Sequence, residues 1–123
     1  MRRRNAILQA LALLKALEPR ISVNEVIAFL YAAENEGLTV QEMAIVAGLT
    51  QSTASRSLRS LGPKESSWSM APALGLLEAY LNPSDARSHV IHLSVRGREV
   101  RDRIDAIIRQ GATIALDATS RAA

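Results

Sequence analysis

Ile7, Leu8, Leu11, Leu14 and Leu17 recur at three- and four-residue intervals, the period of one face of an α-helix. The spacing predicts a first helix over residues 4–17, stopped by Pro19. Ser22 followed by Glu25 has the spacing of a capping box, in which each side chain satisfies a backbone N–H of the other residue. It opens a second helix with the stripe Val26, Phe29, Leu30 and Ala33, running to Asn35 with Gly37 as its stop. Thr39 and Glu42 repeat the capping box before a short third helix that carries Met43, Ala44 and Ala47 inward. Gly48 suits the left-handed conformation that ends such a helix, and Thr50 caps the next. Ala54, Leu58 and Leu61 then fall at i, i+4 and i+7, and Gly62-Pro63 closes this fourth helix.

The period changes after residue 62. Residues 62–75 are irregular, and Trp68 and Met70 within them are expected to fold back onto the core as a flap; a ligand-lining or partner-contacting loop is the alternative. Leu76 to Leu81 and Ser88 to Leu93 have strand length, with the turn cluster Asn82-Pro83-Ser84-Asp85 between them. The pattern is a hairpin whose tip carries Arg87. Ser94 caps a last helix lined by Val100, Ile104, Ile107 and Ile108. Its Arg96, Arg98, Arg101, Arg103 and Arg109 alternate with Glu99, Asp102 and Asp105, as on a solvated, ion-paired face. Residues after Gly111 either extend this helix or fray.

Two short helices about a tight turn make residues 39–61 a helix-turn-helix. Behind the apolar stripe of its second helix lie Ser52, Arg56 and Arg59, flanked by Thr53, Ser55 and Ser60. No acid occurs from Gly48 to Lys64, where an ordinary solvated helix would carry some Glu or Asp. Small hydroxyls allow close approach to phosphates, and Arg can grip a guanine edge at two points. This face is therefore the candidate for reading a DNA groove.

Composition narrows the alternatives. The 123 residues allow one domain with one core. The formal net charge is only +3, but Glu18, Glu25, Glu34, Glu36 and Glu42 face a single Arg20 between residues 16 and 49, while the basic groups gather at the N-terminus and from Arg56 to Arg109. Thirteen of the fifteen basic residues are Arg, which favours two-point phosphate or base contacts over diffuse charge. Without Cys there is no disulfide, thiolate metal site or thiol switch. The basic-then-apolar start imitates a signal peptide, yet Gln9 and Lys15 interrupt it and Glu18-Pro19-Arg20 replaces a small-residue cleavage site. His89 and His92, three apart on a strand, point to opposite faces and cannot act as a pair. No Gly-rich phosphate loop or nucleophile motif occurs. The expectation is a protein that is not an enzyme, with no cofactor and no metal.

The order helix, helix, helix-turn-helix, two-stranded wing, helix resembles the MarR family of transcriptional regulators. Two pieces carry the resemblance: GLTVQEMAIVAGLTQSTASRSLRSLG at residues 37–62 and GLLEAYLNPSDARSHVIHLSVRGREV at residues 75–100, with Asp85, Arg87, Leu93, Ser94 and Gly97 at the wing positions. The resemblance implies a mainly α fold, a winged helix-turn-helix with a two-stranded β wing and terminal dimerisation helices at residues 4–18 and 95–115 around a DNA-binding core at 22–94. It implies a homodimer on double-stranded DNA with a palindromic site, the recognition helix in the major groove and the wing in the minor groove. Thr50, Gln51, Ser52, Thr53, Ser55, Arg56, Arg59 and Arg87 become DNA contacts, and Asp85 orients Arg87 by a charge-assisted bond. Ile7, Leu11, Leu14, Val100, Ile104, Ile107 and Ile108 become the dimer interface. The implied role is a cytoplasmic transcriptional repressor of bacterial or phage-like type. Alternatives are DNA binding in replication or partition control, and a winged helix used as a protein assembly module. The chain departs from the family in being short at both ends, in the insertion at residues 63–74, and in Ser57, where an apolar residue is frequent. These departures leave little room for a ligand pocket. The insertion is read as structural, and a small-molecule effector is left open.

Overall fold

The computed structural model describes residues 2–122, with side chains for residues 4–110. In chain order the elements are α1 (Arg2–Leu17), α2 (Val23–Glu34), β1 (Leu38–Thr39), α3 (Val40–Ala47), α4 (Gln51–Ser60), β2 (Leu77–Asn82), β3 (Asp85–Leu93) and α5 (Val95–Ala122). They divide into two compact units. One holds residues 22–100; the other holds the described residues 2–21 and 101–122.

In the first unit, α2, α3 and α4 pack on one another and the sheet completes the core. Met43 and Ala44 of α3, Ala54, Leu58 and Leu61 of the α4 stripe, and Leu77, Ile91 and Leu93 of the strands are all buried. Both capping boxes form: Ser22 with Glu25, and Thr39 with Glu42. Gly48 ends α3 at φ 67°, a left-handed conformation that disfavours a residue with a Cβ. Thr50 accepts from the Thr53 N–H and caps α4. Ser94 caps α5, accepting from the Gly97 N–H at 2.9 Å.

Two expectations need correction, and the two-stranded wing gains a neighbour. The buried face of α2 is Ala28, Phe29 and Ala32, while Leu30 is exposed. Small Ala residues let α2 approach α3 and α4 closely, and a search for large apolar side chains passes over them. The sheet has three strands, in the order β1-β3-β2, because Leu38 and Thr39 pair with Ile91 and Val90. A two-residue strand leaves no periodic signal. Ser60 is not on the polar face of α4: it is buried, and its hydroxyl donates to Glu25 at 2.6 Å.

The irregular segment between α4 and β2 completes the end of α4. The last carbonyls of a helix lack internal donors. Here Met70 N–H donates to Arg59, Leu74 N–H to Ser60, Leu76 and Leu77 N–H to Leu61, and Gly75 N–H to Gly62. Arg96 closes the far end by donating to the Leu74 carbonyl at 3.0 Å.

In the second unit, Ala6, Leu14 and Ile104 are buried, whereas Ile7, Leu8, Leu11 and Ile108 are exposed. Among the described residues, no helix is long and apolar enough to cross a membrane.

Candidate nucleic-acid interface

The β2–β3 hairpin stands beside α4, and a cleft of about 880 Å³ opens between them. Gln51, Ser52, Ser55 and Arg59 border it from α4, and Asn82, Asp85, Arg87, Ser88 and His89 from the wing. Arg56 lies outside the cleft, exposed on α4. Thr53 is half-buried, and its hydroxyl accepts from Thr50 at 2.9 Å. The hydroxyls of Thr50 and Thr53 are thus engaged in holding the first turn of α4, while Gln51 and Ser52 are exposed beside them.

Arg59 is the most constrained of the candidates. Its Nε donates to the Trp68 carbonyl at 2.6 Å, so one of its five N–H groups is spent inside the protein. The Trp68 ring meets His89 of β3, with ring centroids 5.7 Å apart. Trp68 and His89 both border the cleft; the sequence offered a ligand-lining or partner-contacting role for the Trp68 loop only as an alternative, and none for His89. The even–odd alternation of β3 could have put His89 on the cleft side, since it shares a face with the buried Ile91 and Leu93.

On the wing, Asp85 accepts the Arg87 backbone N–H at 3.0 Å and lies 3.6 Å from the Arg87 Nε. The Arg87 side chain is 94% exposed. Asp85 thus holds the local backbone and leaves the guanidinium in solvent. Asn82 shapes the turn by accepting from Ser84 N–H and donating to the Ser88 hydroxyl.

Two carboxylates border the cleft among these donors, Glu42 and Asp85, and each accepts a backbone N–H. The backbone hydrogen bond from Thr39, with the Thr39 side chain adding to it, holds the Glu42 carboxyl below its usual range. On the opposite face of the sheet, Tyr80 donates to Glu78, which pushes the phenol above its ordinary range. His92 lies there too, 3.7 Å from Glu36 and edge-on to Tyr80, so His89 and His92 do face opposite ways. Among the described residues, no cluster of three His, Cys, Asp or Glu could hold a metal ion.

No known family profile matches the sequence, and no curated protein does. Solved structures do share its fold. A MarR transcriptional regulator from Methanosarcina mazei Go1 is 15% identical, with a TM-score of 0.61 over 84% of this chain and 68% of its own. MepR of S. aureus, solved as a complex with DNA, is 20% identical, with a TM-score of 0.66 over 94% of this chain and 88% of its own. A MarR-family transcriptional regulator from Silicibacter pomeroyi is 26% identical, with a TM-score of 0.56 over 87% of this chain and 66% of its own. The fold is the mainly α, MarR-like winged helix with a β wing.

Proposed function

We propose that this chain is a sequence-specific, double-stranded DNA-binding transcriptional regulator. In this reading α4 enters the major groove and the β2–β3 wing reaches the minor groove. The observation that carries it is the pairing of two features across one cleft: an acid-free helix face with Arg59 on one side, and a solvent-exposed Arg87 on the other. Gln51, Ser52, Ser55, Arg56, Arg59 and Arg87 are the proposed contacts. Thr50 and Thr53 contribute by capping the helix that carries them. The likeness in fold to MepR, which has been solved on DNA, supports the same reading.

The reading includes a two-fold dimer formed by α1 and α5, so that one palindromic site receives two recognition helices about 34 Å apart. Ile7, Leu11 and Ile108 are exposed and Ile107 is half-buried, which suits them to a subunit contact. Leu14, Val100 and Ile104 are buried within the single chain. The chain then acts by binding rather than catalysis, as a repressor in the bacterial cytoplasm that occludes its operator.

Selection of bound duplexes from a random pool tests the reading. Enrichment of a palindrome is expected, with affinity that falls steeply as salt rises because phosphate contacts release counterions. A pool that yields no enriched sequence rejects it.

A further inference from the structure

Arg59 lies on the proposed reading face, yet its guanidinium is already held. The Nε–H is donated to the Trp68 carbonyl at 2.6 Å. The loop that supplies this carbonyl is itself pinned. Met70 N–H donates to the Arg59 carbonyl, and the Ser69 hydroxyl donates to Pro63 at 2.6 Å. The Trp68 ring is seated against Gly62, where an added Cβ would lie 2.9 Å from the ring and 2.5 Å from the Ser69 hydroxyl. The ring also meets His89 of the wing. Trp68 therefore meets the Arg59 guanidinium of the recognition helix, Gly62 just past the end of that helix, and His89 of the wing.

Resting on the DNA-binding reading, we propose that Trp68 is a positioning residue that sets how Arg59 reads a base. Arg can grip guanine through Nε with one Nη, or end-on through both Nη groups. With Nε occupied by Trp68, the side-on mode is closed and the end-on pair remains. The carbonyl also fixes the side chain before binding, so less rotamer entropy is lost when it meets a base. Trp68 does this through its backbone, and its ring holds that backbone in place. The specificity of Arg59 is thus written partly in a loop that need not touch DNA.

The test uses the full chain and the duplex that the wild type selects from a random pool, with every position of the site varied singly. Arg59→Ala should lose discrimination at one base pair per half-site, roughly tenfold as for one lost two-point contact. Trp68→Ala should lose several-fold discrimination at that same base pair and leave the Arg56-dependent position unchanged. In an Arg59→Ala background, Trp68→Ala should have no further effect on the profile. Trp68→Phe, which keeps a ring over Gly62, should restore the wild-type profile. Gly62→Ala, which displaces the ring without touching Trp68, should reproduce the Trp68→Ala profile and serves if Trp68→Ala does not fold. A purely structural role for Trp68 predicts a lower melting temperature with the base profile intact, and that result overturns the proposal. So does a uniform loss over all positions. A wild type that selects no sequence overturns the DNA reading and this proposal together.

Discussion

Thr39 pairs with Val90 across the β1–β3 ladder, and the same residue is the N-cap of α3. The wing strand is therefore paired, through β1, with the residue where the helix-turn-helix begins. The Gly37 N–H extends the link by donating to the Ile91 carbonyl at 2.7 Å, and Glu36 adds a side-chain acceptor for Leu93 N–H at 2.8 Å. Hairpin and helices are tied at both ends of this seam, so the wing is held at a set place beside α4.

Loss of the Thr39 hydroxyl breaks that joint on the helix side only. Thr39→Ala should cost about 1 kcal/mol, as N-cap removals do. The partner Glu42 has its carboxyl lowered by Thr39, so its contribution is present above the unfolded-state value and is lost as pH falls through the lower folded one. Urea unfolding at neutral and acid pH should show the wild type losing more stability on acidification than Thr39→Ala. Parallel losses would mean that the Thr39 hydroxyl adds nothing to the backbone hydrogen bond in lowering the Glu42 carboxyl.

Gly97 lies where an added Cβ would come within 2.0 Å of the Leu76 carbonyl oxygen. Backbone cannot yield as a side-chain tip can. Gly97→Ala should therefore destabilise by about 1–3 kcal/mol, the usual range for overpacking. Thermal unfolding reads this directly, and an unchanged midpoint would refute the close approach of α5 to the start of β2.

Ser60 and Glu25 are joined at 2.6 Å, while the other Glu25 oxygen accepts from Ser22 N–H at 2.8 Å. One carboxylate thus caps α2 and docks α4. Ser60→Ala should cost about 1–2 kcal/mol because a hydrogen bond to a charged group is lost. Affinity for duplex per folded molecule should not change. A variant that folds normally but binds more weakly would put Ser60 in the interface after all.

Arg56 and Arg87 test the two arms of the proposed interface separately. Arg56→Ala should weaken binding by about 1–3 kcal/mol if it reads a base, with specificity relaxed at one position. Arg87→Ala should lose most where flanking sequence is A·T-rich, because a narrow minor groove has the deepest negative potential. Binding titrations on duplexes with A·T-rich and G·C-rich flanks measure this. Equal loss on both flanks would make Arg87 a plain phosphate contact.

Assembly is read by sedimentation. Ile107→Glu combined with Ile108→Glu should yield monomers, since charge cannot be left buried in an apolar contact. A wild type that sediments as a monomer at micromolar concentration, and binds its site as one, removes the dimer from the reading.

The local features were legible because they are short-range. Ser22 with Glu25, Thr39 with Glu42, Thr50 as a cap, Gly48 as a stop and the Asn82–Asp85 turn all act within a few residues. The stripe Ala54, Leu58 and Leu61 was legible because a helix must bury one face, and the same stripe defined the opposite, acid-free face. The α2 face was misjudged because the choice between Leu30 and Ala32 depends on how closely a neighbouring helix approaches, which periodicity does not express.

By itself, then, the sequence determined the helices, their caps, the hairpin and the face of α4 that carries Arg56 and Arg59, since each follows from contacts at i+3, i+4 or alternate positions. Only the tertiary structure decided what those side chains meet. Ser60 finds Glu25 across 35 residues, Thr39 finds Val90, and the Trp68 carbonyl takes the Nε of Arg59. Such pairings depend on where separate elements come to rest, and a donor's partner is set by distance in space rather than by order along the chain. That is why Arg59 reads in the sequence as a free cation and stands in the structure as a held one.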